Sequence, residues 1–126
     1  MYDMSLTEEQ AILQQNIREF TREVVAPRAK EVDITGEFPW DVINKVIAME
    51  LHCMPIPEKF GGPGLDSVTS AILLEELAKG CAGMATTIAA NGLTSYPVLL
   101  AGNEEQQKMY FDILYCLLLL LFLLCW

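Results

Sequence analysis

Apolar residues recur along the first segment with a helical rhythm. Leu13, Ile17, Phe20 and Val24 stand at i, i+4, i+7 and i+11, one stripe of a 3.6-residue period. Arg18, Glu19, Arg22 and Glu23 mostly occupy the other side. Ser5, followed three residues on by Glu8, has the pattern of a capping box, and Glu9 is placed well against the helix dipole. Pro27 has no N–H for the hydrogen-bond ladder, so a kink or an end is expected near Ala26. Thr35-Gly36 is a firmer stop.

A second, shorter helix is predicted to start at Pro39-Trp40, since proline suits a first helical position. Ile43, Val46 and Ile47, continuing to Glu50-Leu51, complete about three turns. Residues 54–64 (MPIPEKFGGPG) are dense in proline and glycine and read as a loop. The third helix begins at Asp66 or Ser67, either a suitable cap, and carries Val68, Ala71, Ile72, Leu73 and Leu77 before closing at Gly80. Residues 80–103 then contain no charge at all and are rich in Ala, Thr and Gly. A helix polar on no face is expected to be buried on most faces, the central helix of a bundle. Pro97 is expected to kink or end it, with Gly102 as the exit. Asn103 caps a fifth helix, with Gln106 three residues on and Glu104-Glu105 in its first turn. Period-2 alternation of useful length is missing, and there is no internal repeat. The fold class predicted is all-α, a bundle of about five helices.

Composition narrows the functions. The chain has 126 residues, suited to one domain, with 8 basic against 17 acidic residues and a net charge of −9. A surface that negative repels phosphate backbones, and no Lys/Arg cluster interrupts it, so nucleic-acid binding is disfavoured. The cysteines are Cys53, Cys81, Cys116 and Cys125, without a C-x-x-C pair, and the single histidine is His52. Metal binding is therefore not expected. Residues 1–10 show neither a basic-then-apolar signal nor an Arg-rich amphipathic leader, so a reducing cytoplasm is the expected compartment.

Residues 115–126 (YCLLLLLFLLCW) change texture abruptly. As a helix they span about 18 Å against roughly 30 Å of bilayer hydrocarbon. Extension back to Met109 brings Asp112 into the span, at a cost of about 3 kcal/mol near a bilayer centre. The expectation is an apolar tail that does not belong to the preceding fold, with membrane contact through 115–126 as the alternative. Left exposed, such a tail is an aggregation hazard.

Several phrases, in order, carry a family resemblance. Residues 6–10 (LTEEQ) are followed by Glu-Val-Val-Ala-Pro at residues 23–27 and by GEFP at 36–39. Residues 56–64 (IPEKFGGPG), residues 74–78 (LEELA) with Gly80-Cys81-Ala82, and residues 101–106 (AGNEEQ) complete the series. Together they resemble the N-terminal helical domain of the acyl-CoA dehydrogenases, over about residues 5–114. The resemblance implies a three-domain flavoenzyme that removes hydrogens from the α and β carbons of an acyl-CoA thioester. A catalytic glutamate takes the α-proton and FAD the β-hydride, and an electron-transfer flavoprotein is the partner. It places most flavin contacts and that glutamate in later domains. The family's Thr-Glu-Pro-type segment is not found after Leu114, so the division expected is residues 1–114 as this domain and 115–126 as tail. The chain as given is then expected to be cut short and inactive by itself, with no catalytic residue, no tightly held FAD and no metal. Alternatives are a non-catalytic helical protein that associates with full-length relatives or a membrane, and a fragment of an acyl-CoA oxidase-like relative with a different electron acceptor.

Thr86, Ala89, Ala90 and Leu93 lie at i, i+3, i+4 and i+7 of the charge-free helix and share a small, mostly apolar face with room for a hydrocarbon chain. In the family the corresponding helix lines the acyl pocket, so these four resemble acyl-contact residues. Glu75 and Glu76 read as a solvated or helix-pairing face, not as a general base, since neighbouring helix positions point about 100° apart. Gly61, Gly62 and Gly64 lack the strand and lysine of a phosphate loop and read as positions needing positive φ. A bare apolar face favours marginal stability or self-association into a homo-oligomer.

Overall fold

The first helix takes its cap from Thr7, not Ser5. In the computed structural model, which describes the backbone of residues 5–124 and the side chains of residues 5–114, Thr7 Oγ1 accepts from the Gln10 amide at 3.1 Å. Gln10 Oε1 accepts in return from the Thr7 amide at 3.1 Å. The chain offers two overlapping capping-box frames two residues apart. The later one wins because it also places Glu8 and Glu9 in the first turn of α1 (Glu8–Phe20).

The chain does not stop at Pro27. A single π-helical turn, Thr21–Val25, joins α1 to α2 (Ala26–Thr35), and the Ala26 N–H reaches back five residues to the Thr21 carbonyl. The extra residue takes up the space that the proline ring would contest with the carbonyl four positions earlier. It also turns the inward stripe: Val25 is wholly buried, while Val24 is only half-buried. Gly36, left-handed at φ 69°, ends α2 where expected.

Pro39 caps α3 (Trp40–Ala48). Arg28 of α2 ties down its first turn by donating from Nε to Asp41 Oδ2 at 2.9 Å, and it also pairs with Glu31. The guanidinium holds the Asp41 carboxyl below the usual carboxylate range. Helix α3 stops short of Glu50-Leu51, because Glu50 takes a left-handed conformation (φ 58°) and residues Leu51–Cys53 continue as a tight 3-10 turn. That turn drives Leu51, His52 and Cys53 inward together. The glycine-proline loop follows, with a 3-10 turn at Glu58–Phe60; Gly61 and Gly64 have positive φ as expected, but Gly62 does not, and what requires glycine there is the close approach of the Ile56 backbone, which a Cβ would strike.

Asp66 caps α4 (Ser67–Gly80), its carboxylate accepting from the Val68 and Thr69 amides at 2.8 and 2.9 Å. Helix α5 (Ala82–Ala101) packs on α4 and on the Leu51–Cys53 turn. It does not end at Pro97, which sits at an exposed position within the helix. Asn103 and Gln106 exchange the reciprocal bonds of a capping box, both at 2.9 Å, at the start of α6 (Glu104–Leu124). Side chains 115–126 lie outside the described residues, and with them the expected tail boundary and the membrane alternative.

With α1, the π turn and α2 counted as one rod, the fold is an all-α bundle of five helices, without a strand among the described residues. The main core joins Ile17, Val25, Val42, Val46, Leu51, Met54, Leu73, Leu77, Met84, Ala85 and Ile88. A satellite of Cys53, Ile56 and Phe111 holds α6 to the loop.

Helix α4 ends hard against the π turn. A Cβ on Gly80 would stand 2.6 Å from Thr21 Cγ2, 3.2 Å from Val25 Cγ1 and 3.3 Å from the Ala26 nitrogen. Gly80→Ala is expected to destabilise by about 1–3 kcal/mol from overpacking, less whatever the better helix former returns. Gly83→Ala, whose Cβ would meet only Cys81 Sγ at 3.9 Å, is expected to be neutral or slightly stabilising. Thermal unfolding of the two variants side by side checks both.

Candidate functional site

The charge-free helix is not central. One side of α5 buries Met84, Ala85, Ile88 and Ser95, while Thr86, Ala90, Leu93, Pro97 and Leu100 run along an exposed stripe. Leu93 is 72% and Leu100 84% exposed. The expectation of burial on most faces is therefore corrected: the sequence pattern shows that no face carries charge, but within this chain only one face is covered. Such a stripe is apolar without being core.

At the edge of the stripe a cavity of about 160 Å³ opens between α4, α5 and the 3-10 turn. It is lined by Leu51, His52, Met54, Pro55, Ser70, Leu74, Ile88, Ala89, Gly92, Leu93 and Tyr96. Of the four residues singled out on α5, Ala89 and Leu93 line it. Thr86 and Ala90 do not; they continue the exposed stripe beside it. The Thr86 hydroxyl is spent on the Ala82 carbonyl at 2.8 Å, so what it presents outward is largely its methyl group. His52 and Ser70 are lining residues that periodicity along α5 has no means of finding, since they come from other elements. Burial pushes the His52 imidazole below its ordinary pKa, against a weaker upward pull from Glu50. The ring is therefore neutral near pH 7.

A larger cavity of about 480 Å³ lies between the α2–α3 connection and the start of α5. Its lining includes Phe38, Ile43, Cys81, Met84 and Thr87, and the charges on it are Asp33 and Glu37. Two carboxylates and no cation do not fit the pyrophosphate of a flavin dinucleotide.

Glu76 is buried but holds no reacting position. Arg18 of α1 grips it with two bonds, Nε to Oε2 at 3.2 Å and Nη2 to Oε1 at 2.8 Å, and Lys79 adds a third at 2.8 Å. These hold its carboxyl at about 2, the Arg18 hydrogen bond being the largest cause, against the opposing effect of burial. A carboxylate so acidic stays ionised and is a poor proton acceptor near neutral pH. Its place is to pair α4 with α1, as expected of that face. Glu75 is exposed. Among the described residues no group of histidine, cysteine and acidic side chains is arranged to hold a metal ion, and no helix is long and apolar enough to cross a membrane.

Fold and site thus define a helical domain that offers an uncharged wall and an apolar cavity. Residues 7–114 match the family described as the acyl-CoA dehydrogenase N-terminal domain. The chain belongs to that family. It is 40% identical over 105 residues to a probable medium-chain specific acyl-CoA dehydrogenase, mitochondrial, of Caenorhabditis briggsae, an alignment covering 83% of this chain and 26% of the relative. Among solved structures, butyryl-CoA dehydrogenase of Megasphaera elsdenii superposes with a TM-score of 0.75 at 28% identity, over 87% of this chain and 30% of that one. A chain from work on the electron transferring flavoprotein of Acidaminococcus fermentans gives 0.76 at 30% identity, over 87% and 29%. The chain therefore spans between a quarter and a third of the length of these relatives, corresponding to their N-terminal domain. Acyl-CoA dehydrogenases of this kind are in general FAD-dependent.

Proposed function

We propose that residues 1–114 act as the acyl-site-contributing domain of an FAD-dependent acyl-CoA dehydrogenase, with Ala89 and Leu93 against the acyl chain and Thr86 and Ala90 beside them. Residues 115–126 stand outside that domain. The observation that carries this reading is the opening of an apolar cavity at Ala89 and Leu93, on a helix whose outer stripe is uncharged and uncovered. A substrate hydrocarbon and the remaining domains of an enzyme are natural covers for such a surface. In this reading FAD and the catalytic glutamate belong to those other domains, and the electron acceptor is an electron-transfer flavoprotein. An oxidase-like relative would differ in that acceptor. Until covered, the stripe favours self-association.

The purified chain, mixed with FAD and acyl-CoA thioesters, is expected to retain no flavin spectrum and to give no turnover, while acyl-CoA perturbs the NMR signals of Ala89 and Leu93. A tight flavin peak with turnover would show that the chain is a complete catalyst. Acyl-CoA that leaves α5 unperturbed would remove the acyl wall.

A further inference from the structure

Gly92 stands in the middle of α5, where glycine is the poorest helix former after proline. The two usual backbone reasons for a glycine do not apply to it. Its φ is not positive, unlike that of Gly36, Gly61 and Gly64. No close approach requires it either. A Cβ would meet Pro55 Cγ at 3.7 Å and Tyr96 Cε2 at 3.8 Å, ordinary van der Waals contact, and no third atom beyond its own stretch of helix within 4 Å. At Gly80 the nearest atom would stand 2.6 Å away. The fold therefore has room for a side chain at position 92, and helix propensity favours one.

That room belongs to the apolar cavity of about 160 Å³, which Gly92 lines together with Ala89, Leu93 and Tyr96. These four stand at i, i+3, i+4 and i+7, one face of α5 that runs about 10 Å from Ala89 to Tyr96. Pro55 lines the same cavity from the glycine-proline loop. Between Ala89 and Tyr96 the wall at Gly92 is bare backbone. A side chain there would project beside Pro55 and Tyr96 and take its volume from the cavity. We infer that Gly92 is a specificity-determining residue for acyl-chain length: its missing side chain keeps the cavity open past Ala89, so that straight chains long enough to pass it are accepted. This rests on the acyl-site reading above and adds to it the residue that sets how far the chain extends.

The test titrates the 126-residue chain by NMR with butyryl-, hexanoyl-, octanoyl- and decanoyl-CoA. Wild type is compared with Gly92→Ala, Gly92→Met and, as a control outside this cavity, Gly83→Ala. The affinity of the longest thioester relative to the shortest is expected to fall about tenfold in Gly92→Ala, the scale of one methylene's fit in an apolar pocket, and further in Gly92→Met. Butyryl-CoA should bind every variant as it binds wild type. Both alanine variants should unfold at or above the wild-type temperature, since each gains a better helix former, so a lost preference in Gly92→Ala is not lost folding. Gly83→Ala should keep the wild-type ratio. A ratio that is unchanged in both Gly92 variants, or a loss that falls equally on all four thioesters, overturns the inference and leaves the acyl site standing. If no thioester moves the Ala89 and Leu93 signals of the wild type, the inference and the acyl-site reading fall together.

Discussion

Arg18→Ala is expected to lower the midpoint of urea denaturation at neutral pH, and Lys79→Ala to lower it by less. The asymmetry follows from geometry. Glu76 is 1% exposed, and Arg18 supplies two of its three bonds from the neighbouring helix. Lys79 supplies one, from the same helix, and since both cations are half-exposed the difference lies in the number of bonds and the helices they join. Removing Arg18 leaves a buried carboxylate with a single partner that water also competes for. The loss stays below the largest known for broken buried pairs because Lys79 remains.

The same cluster sets an acid dependence. Glu76 is held at about 2 in the folded chain, below its ordinary value of 4.5. A group whose folded pKa is depressed contributes stability that is fully present above the unfolded value and is lost as pH falls through the folded one. Stability from this cluster should therefore decline between about pH 4.5 and 2. In Arg18→Ala that part of the decline should shrink and move to higher pH. A wild-type curve flat across this window, with an unchanged curve for the variant, would show that the pair contributes nothing.

Phe111→Ala carries an expected loss of about 3–4 kcal/mol. Phe111 is 1% exposed and stacks on Phe60 with centroids 4.7 Å apart, while Tyr110 meets it edge-on at 5.1 Å. It closes the satellite core with Cys53 and Ile56, so it is what fixes α6 to the glycine-proline loop. The loss should be partly local. Amide exchange should speed up over the start of α6 and residues 54–64 more than over α1 and α4, which pair through a different core. Uniform acceleration throughout the chain would show instead that the two cores unfold as one.

Features encoded within one turn of helix were readable in the sequence: the Asn103–Gln106 box, the Asp66 cap and the Gly36 stop each act over two to four residues. Where two local codes overlapped, as at Ser5–Glu8 and Thr7–Gln10, the earlier pair was read, although only the later frame puts both Glu8 and Glu9 in the first turn. The π turn was hidden for another reason, since a 3.6-residue period assumes a constant turn and so pointed to Val24 where Val25 is buried. Glu76 had a signal that was available. Thr69, Ser70, Leu73, Glu76 and Leu77 form one helical face, and that is the face α4 buries. The cavity was legible only on its α5 side, through Ala89 and Leu93. His52 and Ser70 join it by tertiary packing of the Leu51–Cys53 turn and α4, which no spacing along α5 foretells. The burial of α5 was overestimated because lack of charge tells what a surface tolerates, not what covers it.

A chain-length profile in a fused enzyme reads the acyl wall on α5 most directly. Residues 1–114 replace the N-terminal domain of the Megasphaera elsdenii butyryl-CoA dehydrogenase, and kcat/KM is recorded for straight-chain acyl-CoA substrates with and without Ala89→Phe. The fusion is expected to hold flavin and to dehydrogenate acyl-CoA. Ala89→Phe should narrow its range, cutting the longer substrates at least tenfold more than the shortest, as a side chain filling the pocket requires. A fusion that folds, holds FAD and turns over, yet keeps one profile with and without Ala89→Phe, would contradict the acyl wall on α5.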